Sequence, residues 1–302
     1  MSALAETWLL VFLLAAGVGL GATLAMALGR LLAESWLDPL RPALAPLSRW
    51  APLVAFALAL PMRFLAPYLW PWGDAPTEAA EDPTLVWTTS LSILGLWTAL
   101  GWMLARPSVG RGLAGAALAA LILTGALAVE EWALSRDATW TGSVQGVALM
   151  TEQLAFVLAF ATLLALRRGE PLGPEARTGL ERALLTIAMG MLWLWFTQYV
   201  VVYYADIPSE SAWYLRRSEG AWAWLMLGWL MPALLCAIAL AIVPQWRDWR
   251  FKAVARLLLL QHPVHLFWVV RPEAPPGAAS VMLDLTVAAA LAAGSVLMLR
   301  RA

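Results

Sequence analysis

Carboxylate, amide, hydroxyl and phenol side chains of this chain crowd at one set of boundaries between long apolar runs, where they could handle protons. Glu130-Glu131-Trp132 close one run, Arg136 and Asp137 follow, and the next run opens with Gln145, Thr151, Glu152 and Gln153. A third contribution is Thr197, Gln198, Tyr199, Tyr203 and Tyr204, leading into Asp206-Ile207-Pro208-Ser209-Glu210. Ionisable groups in or beside hydrocarbon are costly, so those present there tend to be paired or to serve a function. Packed together, these ends would form an acidic, tyrosine-rich pocket. Such a pocket could hold a quinol head group, whose oxidation needs hydrogen-bond partners and carboxylates that take up protons, or it could begin a proton path. The proton-transfer candidates are Glu131, Glu152, Asp206 and Glu210, and the quinol-binding candidates are Gln198, Tyr203, Tyr204 and Asp206. Glu152 stands out because it lies about two turns inside its run, where an unpaired charge would be expensive. Glu130 and Asp137 read more simply as interfacial residues, and the tyrosines as part of an aromatic belt.

Nine apolar stretches must position these groups, at about 8–33, 50–70, 86–105, 112–134, 145–166, 182–205, 220–243, 252–270 and 280–299. Apolar residues make up 62% of the 302 and charged ones 13%, with mean hydropathy +0.72; an ordinary globular domain is about 25% charged, so a water-soluble fold is excluded. Each stretch is near the roughly 20 residues that cross a bilayer as a helix. The runs are continuously apolar rather than alternating, which predicts helices instead of barrel strands. The expected fold is an all-α polytopic membrane bundle. The first run does not read as a cleaved signal, because Glu6 stands where a basic segment would be and the run is too long.

Basic residues fall into alternate gaps. Fifteen of the twenty Lys and Arg lie after stretches one, three, five and seven or in the C-terminal tail; only Arg136, Arg216, Arg217 and Arg271 lie on the other side, and Arg63 lies within stretch two. The positive-inside rule then predicts an outer N-terminus, a cytoplasmic C-terminus and an odd helix count. The outer side carries Asp74, Glu78, Glu81 and Asp82 in one loop without a basic residue.

Cysteine and histidine usage excludes several redox chemistries. Cys236 is the single cysteine, so no disulfide, Cys-x-x-Cys pair or covalent haem sequence exists. The two histidines, His262 and His265, are three residues apart on one helix; they cannot supply the facing ligands of a transmembrane haem, and without a third ligand they make a poor metal site. They read as polar groups bonding to neighbouring helices beside Pro263. No metal site is expected, and no phosphate-binding glycine loop or nucleic-acid patch is present.

Three segments carry a family resemblance. Trp193-Leu194-Trp195-Phe196-Thr197-Gln198-Tyr199, continuing through Tyr203-Tyr204-Ala205-Asp206-Ile207-Pro208-Ser209-Glu210 to Trp213-Tyr214-Leu215-Arg216-Arg217, resembles the helix-six block of the second NrfD-like (polysulfide-reductase-type) membrane subunit of alternative complex III, the ActF-like family. Glu131-Trp132-Ala133-Leu134-Ser135 with Trp140-Thr141-Gly142-Ser143, and His265-Leu266-Phe267-Trp268-Val269-Val270-Arg271-Pro272, are similar to two further motifs of that family. The resemblance covers roughly residues 125–272. The chain departs where the family's asparagine is Asp206, its first glutamate after the proline is Ser209, its late aspartate is His265, and its helix-two histidines have no counterpart around Pro61-Met62-Arg63. Members also usually have ten helices.

The resemblance implies two four-helix bundles plus a peripheral helix in a bacterial cytoplasmic (inner) membrane. It also implies a subunit of a quinol:cytochrome c oxidoreductase that has no redox centre of its own and serves assembly and proton translocation. The implied partners are a sister NrfD-like subunit, an iron–sulfur subunit, multihaem and monohaem cytochrome c subunits, a terminal oxidase and membrane lipids. Haems and iron–sulfur clusters would sit in those partners, and quinol or menaquinol would be the small molecule. Two alternatives remain open at this point: a quinol site belonging to this chain, near the outer face, and a stand-alone secondary transporter, for which no convincing repeat is visible.

Overall fold

The computed structural model describes residues 2–32, 35–71, 82–137, 140, 144–169, 172–245, 247–274, 283, 284 and 286. Asp74, Glu78, Glu81 and most of the expected helix at 280–299 lie outside the described residues. Among those described, every regular element is helical, and eight helices are long and apolar enough to span a membrane. The chain is a multi-pass membrane protein.

The spans are α1 (Ser2–Leu32), α2 (Arg41–Leu65), α3 (Pro83–Leu104), α4 (Arg111–Val129), α5 (Gln145–Arg168), α6 (Pro174–Ala205), the pair α8 (Gly220–Leu225) and α9 (Met231–Ile242), and α10 (Arg247–Val270). The short α7 (Pro208–Arg217) lies between α6 and α8. Most ends fall within a few residues of those expected from hydropathy. α1 begins earlier, at Ser2, and α2, α6 and α10 also begin earlier, in segments that carry charged residues. An apolar run stops where charge begins, but a helix continues for as long as its backbone bonds are made. Pro42 and Pro174 sit in the first turns of α2 and α6, where the missing N–H costs nothing. Asp82 caps α3 by accepting a hydrogen bond from the Thr84 N–H at 2.8 Å.

Two segments wind more loosely, as π-turns at Glu130–Leu134, which ends α4, and at Met226–Leu230, which joins α8 to α9. Such turns disturb the regular backbone ladder. Near the second, Gln261 of α10 donates its amide N–H to the Leu230 carbonyl at 2.6 Å, so a buried backbone acceptor is satisfied from a neighbouring helix.

Helices α1–α4 pack on one another, as do α5, α6, α9 and α10, and the two groups meet chiefly at α5, which lies against both α1 and α4. Helices α1, α5 and α10 are enclosed on most sides, whereas the others turn a broad face outward. Small residues on α1 permit this. A methyl group at Gly21 would stand 2.4 Å from the Gln153 carbonyl oxygen, and one at Gly17 would stand 3.0 Å from His262 Nε2. Close backbone approach through small residues is how helices associate where no hydrophobic force separates helix from lipid. The enclosed helices are also those that carry Glu6, Glu152, His262 and His265, all buried.

Candidate functional site

Glu152 lies about 10 Å along α5 from Gln145 and is completely buried. Three aromatic side chains converge on its carboxylate. Trp195 of α6 donates its indole N–H to Oε1 at 2.7 Å. His265 Nδ1 of α10 is 2.7 Å from the same oxygen, and His262 Nδ1 is 3.6 Å from Oε2. The three-residue spacing of the histidines puts both on one helix face, and α10 packs closely on α5, which turns that face to Glu152.

The rings are fixed by their neighbours. His265 lies 4.4 Å from the Trp195 ring and is stacked 5.5 Å from Trp268. His262 meets Phe156 edge-on at 5.8 Å. Both nitrogens of His262, His265 Nδ1, Glu152 Oε2 and Gln153 Oε1 have no protein partner at good hydrogen-bonding distance and angle. With both imidazoles neutral and the carboxylate ionised, the trio carries one negative charge; one added proton makes it neutral. In an apolar interior the neutral state costs least. No cluster of three or more His, Cys, Asp or Glu suited to a metal ion is found among the described residues.

Beside it, a cavity of about 830 Å³ lies between α6, α7, the α8–α9 segment and α10. His265, Trp195 and Gln145 form part of its wall, together with Tyr199, Tyr203 and Arg217.

The sequence candidates do not share one pocket. Glu152 belongs to the trio and Tyr203 to the cavity wall, but Glu131 lies in the other bundle, at the π-turn of α4, with Ser90 Oγ 3.5 Å from its carboxylate and the Trp132 indole donating to that same hydroxyl at 2.8 Å. Gln198 is buried and its side-chain oxygen accepts the Val144 N–H at 3.1 Å, which satisfies a backbone donor at the start of α5. Asp206 is exposed and is the only non-glycine residue with positive φ (48°) among those described. It ends α6 in the left-handed conformation that Asp and Asn tolerate. Pro208 then opens α7. Tyr204 is 80% exposed, and Glu210 is half-buried in the first turn of α7. Helical geometry explains the scatter: Gln198 and Val202 face inward, Tyr199 and Tyr203 are one step round on the cavity side, and Tyr204 points away.

A second buried cluster joins residues that the sequence leaves in separate segments. Glu6 receives Arg136 through two hydrogen bonds, at 2.5 and 2.7 Å, and Arg271 at 3.2 Å. Arg271 also pairs with Asp284, to which the Thr7 hydroxyl donates at 2.7 Å. Next to it, Arg216 pairs with Asp137 and Glu273, and Arg217 with Glu273 at 2.8 Å. Arg217 lies 3.5 Å from the Trp213 ring centre. Burial lowers the Arg217 pKa to about 10, a shift that Glu273 partly opposes, and burial also raises Tyr214 above the usual phenol range. The only sequence signal for this cluster was a set of four arginines on a side otherwise poor in them.

No protein-family model matches the chain, and no curated protein matches it.

Proposed function

We propose that the chain is a membrane subunit of a quinol-oxidising respiratory complex of the alternative complex III type, without a redox centre of its own, and that its chemical task is proton transfer at Glu152, His262 and His265. The observation that carries this reading is a fully buried carboxylate between two imidazoles on the enclosed helices. The motif resemblance over residues 125–272 and the two-bundle packing support the same assignment. The resemblance implies a bacterial cytoplasmic membrane, and the distribution of basic residues favours an outer N-terminus, which sets the trio nearer the outer face. Assembly would be served by the remaining surface, with a sister NrfD-like subunit, an iron–sulfur subunit and cytochrome c subunits as partners.

The test is mild-detergent purification through a C-terminal tag, with mass spectrometry, a reduced-minus-oxidised spectrum, and proton release per quinol oxidised. Co-purified cytochromes, together with a lower proton yield in Glu152→Gln at unchanged assembly, are expected. A colourless chain that purifies alone from several detergents would overturn the complex assignment, and an unchanged proton yield in an assembled Glu152→Gln complex would overturn the proton role.

A further inference from the structure

A second cavity, of about 420 Å³, opens between the end of α1, the start of α6, the flank of α5 and the short 3-10 helix Ser35–Leu40 that follows α1. Its inner wall is hydrocarbon: Ala25, Leu37 and Leu158 are buried there, with Leu28 and Leu154 half-buried beside them. Its mouth faces outward between spanning helices, past Leu32 of α1 and Arg182 and Thr186 of α6, all three exposed. A space of this size and composition suits a flexible apolar chain.

The groups at the mouth are ordered along one face of α6, where Gly179, Arg182 and Thr186 follow one another at three- and four-residue spacing. Gly179 lies against Trp36: a methyl group there would stand 2.7 Å from the indole ring, so the bare backbone lets Trp36 close that end of the cavity. Arg182 comes next, and Thr186 about 6 Å beyond it along the helix. Arg182 has no carboxylate within ion-pair distance among the described residues; neighbouring Glu181 turns to Arg177, Arg247 and Arg250, and Asp38 to Arg41. An unneutralised guanidinium, a hydroxyl one turn further in and an apolar interior thus follow in that order. Tryptophan and arginine at one level of a spanning helix are groups that meet lipid headgroups, and basic pockets between such helices take anionic ones.

We propose that this cavity seats an anionic phospholipid: its phosphate accepts hydrogen bonds from the Arg182 guanidinium beside Trp36, the ester carbonyl of one chain accepts from the Thr186 hydroxyl, and that chain lies inward along Leu28, Leu154 and Leu158. A free phosphate would leave the apolar interior unfilled. A zwitterionic lipid would bring an ammonium group to the same arginine, so net negative charge is favoured. The bound chain fills the gap between α1 and α6, which are joined chiefly through α5 and the Ser35–Leu40 helix.

Native mass spectrometry of the full chain in detergent tests this with dioleoyl phosphatidylglycerol and dioleoyl phosphatidylethanolamine, which share their chains, and with glycerol 3-phosphate; lipid retained from the cell is counted by its mass with that added. The expected result is a first lipid bound at lower concentration than any later one, with phosphatidylglycerol preferred about fivefold. Arg182→Gln should bring the two lipids to parity, and Thr186→Trp, which fills the space from an exposed position, should remove the tight first site. Unfolding temperatures measured without added lipid check that both variants keep the fold, and the comparison of the two lipids on the unaltered chain stands without them. Lipids that add in even steps, a preference that survives Arg182→Gln, or first binding unaltered in Thr186→Trp would overturn the proposal. Displacement of the lipid by glycerol 3-phosphate at equal concentration would overturn it in favour of a plain anion site, and a lipid-free dimer that Thr186→Trp dissociates would overturn it in favour of a second copy covering the groove.

Discussion

Two buried ionic clusters occupy the enclosed helices, and they differ in which partners can give up a proton. Around Glu6 the cations are Arg136 and Arg271, whose guanidinium groups stay charged at any physiological pH. Their hydrogen bonds to Glu6, Asp284 and, through Thr7, to one another's partners tie together the start of α1, the segment after α4, the end of α10 and the residues near Asp284. Around Glu152 the partners are imidazoles, which, unlike a guanidinium, can take up or release a proton. The first cluster is a clamp of fixed charges; the second is a group whose charge can change. Equal burial does not imply equal purpose, and the chemistry of the cation decides between them.

The largest expected effect of a single change is therefore at the clamp. Glu6→Gln leaves two buried guanidinium groups with one fewer carboxylate, and breaking a buried pair in this way costs about 3–5 kcal/mol. Thermal unfolding in detergent should show a large drop or no folded protein. Glu152→Gln should cost less, about 1–3 kcal/mol, because the amide still offers Trp195 an acceptor and no fixed charge is stranded. Its main consequence is loss of proton exchange. If Glu152→Gln proved the more destabilising of the two, the trio would be a structural clamp as well and the contrast would collapse.

Gly17→Ala sharpens the contrast from the α1 side. The added methyl would lie 3.0 Å from His262 Nε2 and 3.1 Å from the Gln153 side chain, so the imidazole must move by a few tenths of an ångström. The cost expected for such crowding is about 1 kcal/mol, read as a small fall in unfolding temperature, whereas proton release should slow while Glu6 and its arginines stay undisturbed. A proton yield and rate identical to wild type would place the working nitrogen of the relay on His265 alone.

The helices were legible in the sequence because their apolar runs are local features, and alternation of arginine between the gaps expresses a global constraint that each gap reports separately. The trio was not legible in the same way. Glu152 could be singled out by its depth in α5, and His262 and His265 by their spacing, but their meeting depends on α10 packing against α5 across more than a hundred residues. Rarity was the available signal: the two histidines of the whole chain lie on one face of a spanning helix, where a buried polar group needs a partner. Sequence proximity misled at Glu131 and Glu152, which are close along the chain yet belong to different bundles. It misled again at Gln198 and Tyr203, which share α6 but face different directions. The Glu6 clamp was harder still, since its members come from four distant segments.

The smallest effect is expected at Asp206, where conformation and charge can be separated. Its left-handed backbone at the end of α6 suits Asn as well as Asp, and the side chain is exposed, so Asp206→Asn should change stability by no more than about 0.5 kcal/mol. Asp206→Val should cost about 1–2 kcal/mol, because a branched side chain disfavours that backbone region. If quinol oxidation by the assembled complex is unchanged in the Asn variant and reduced only in the Val variant, Asp206 serves to turn the chain between α6 and α7. If activity falls in Asp206→Asn with assembly and stability intact, its charge is used at the protein surface, and chemistry is then shared between the buried trio and a carboxylate beyond the end of α6.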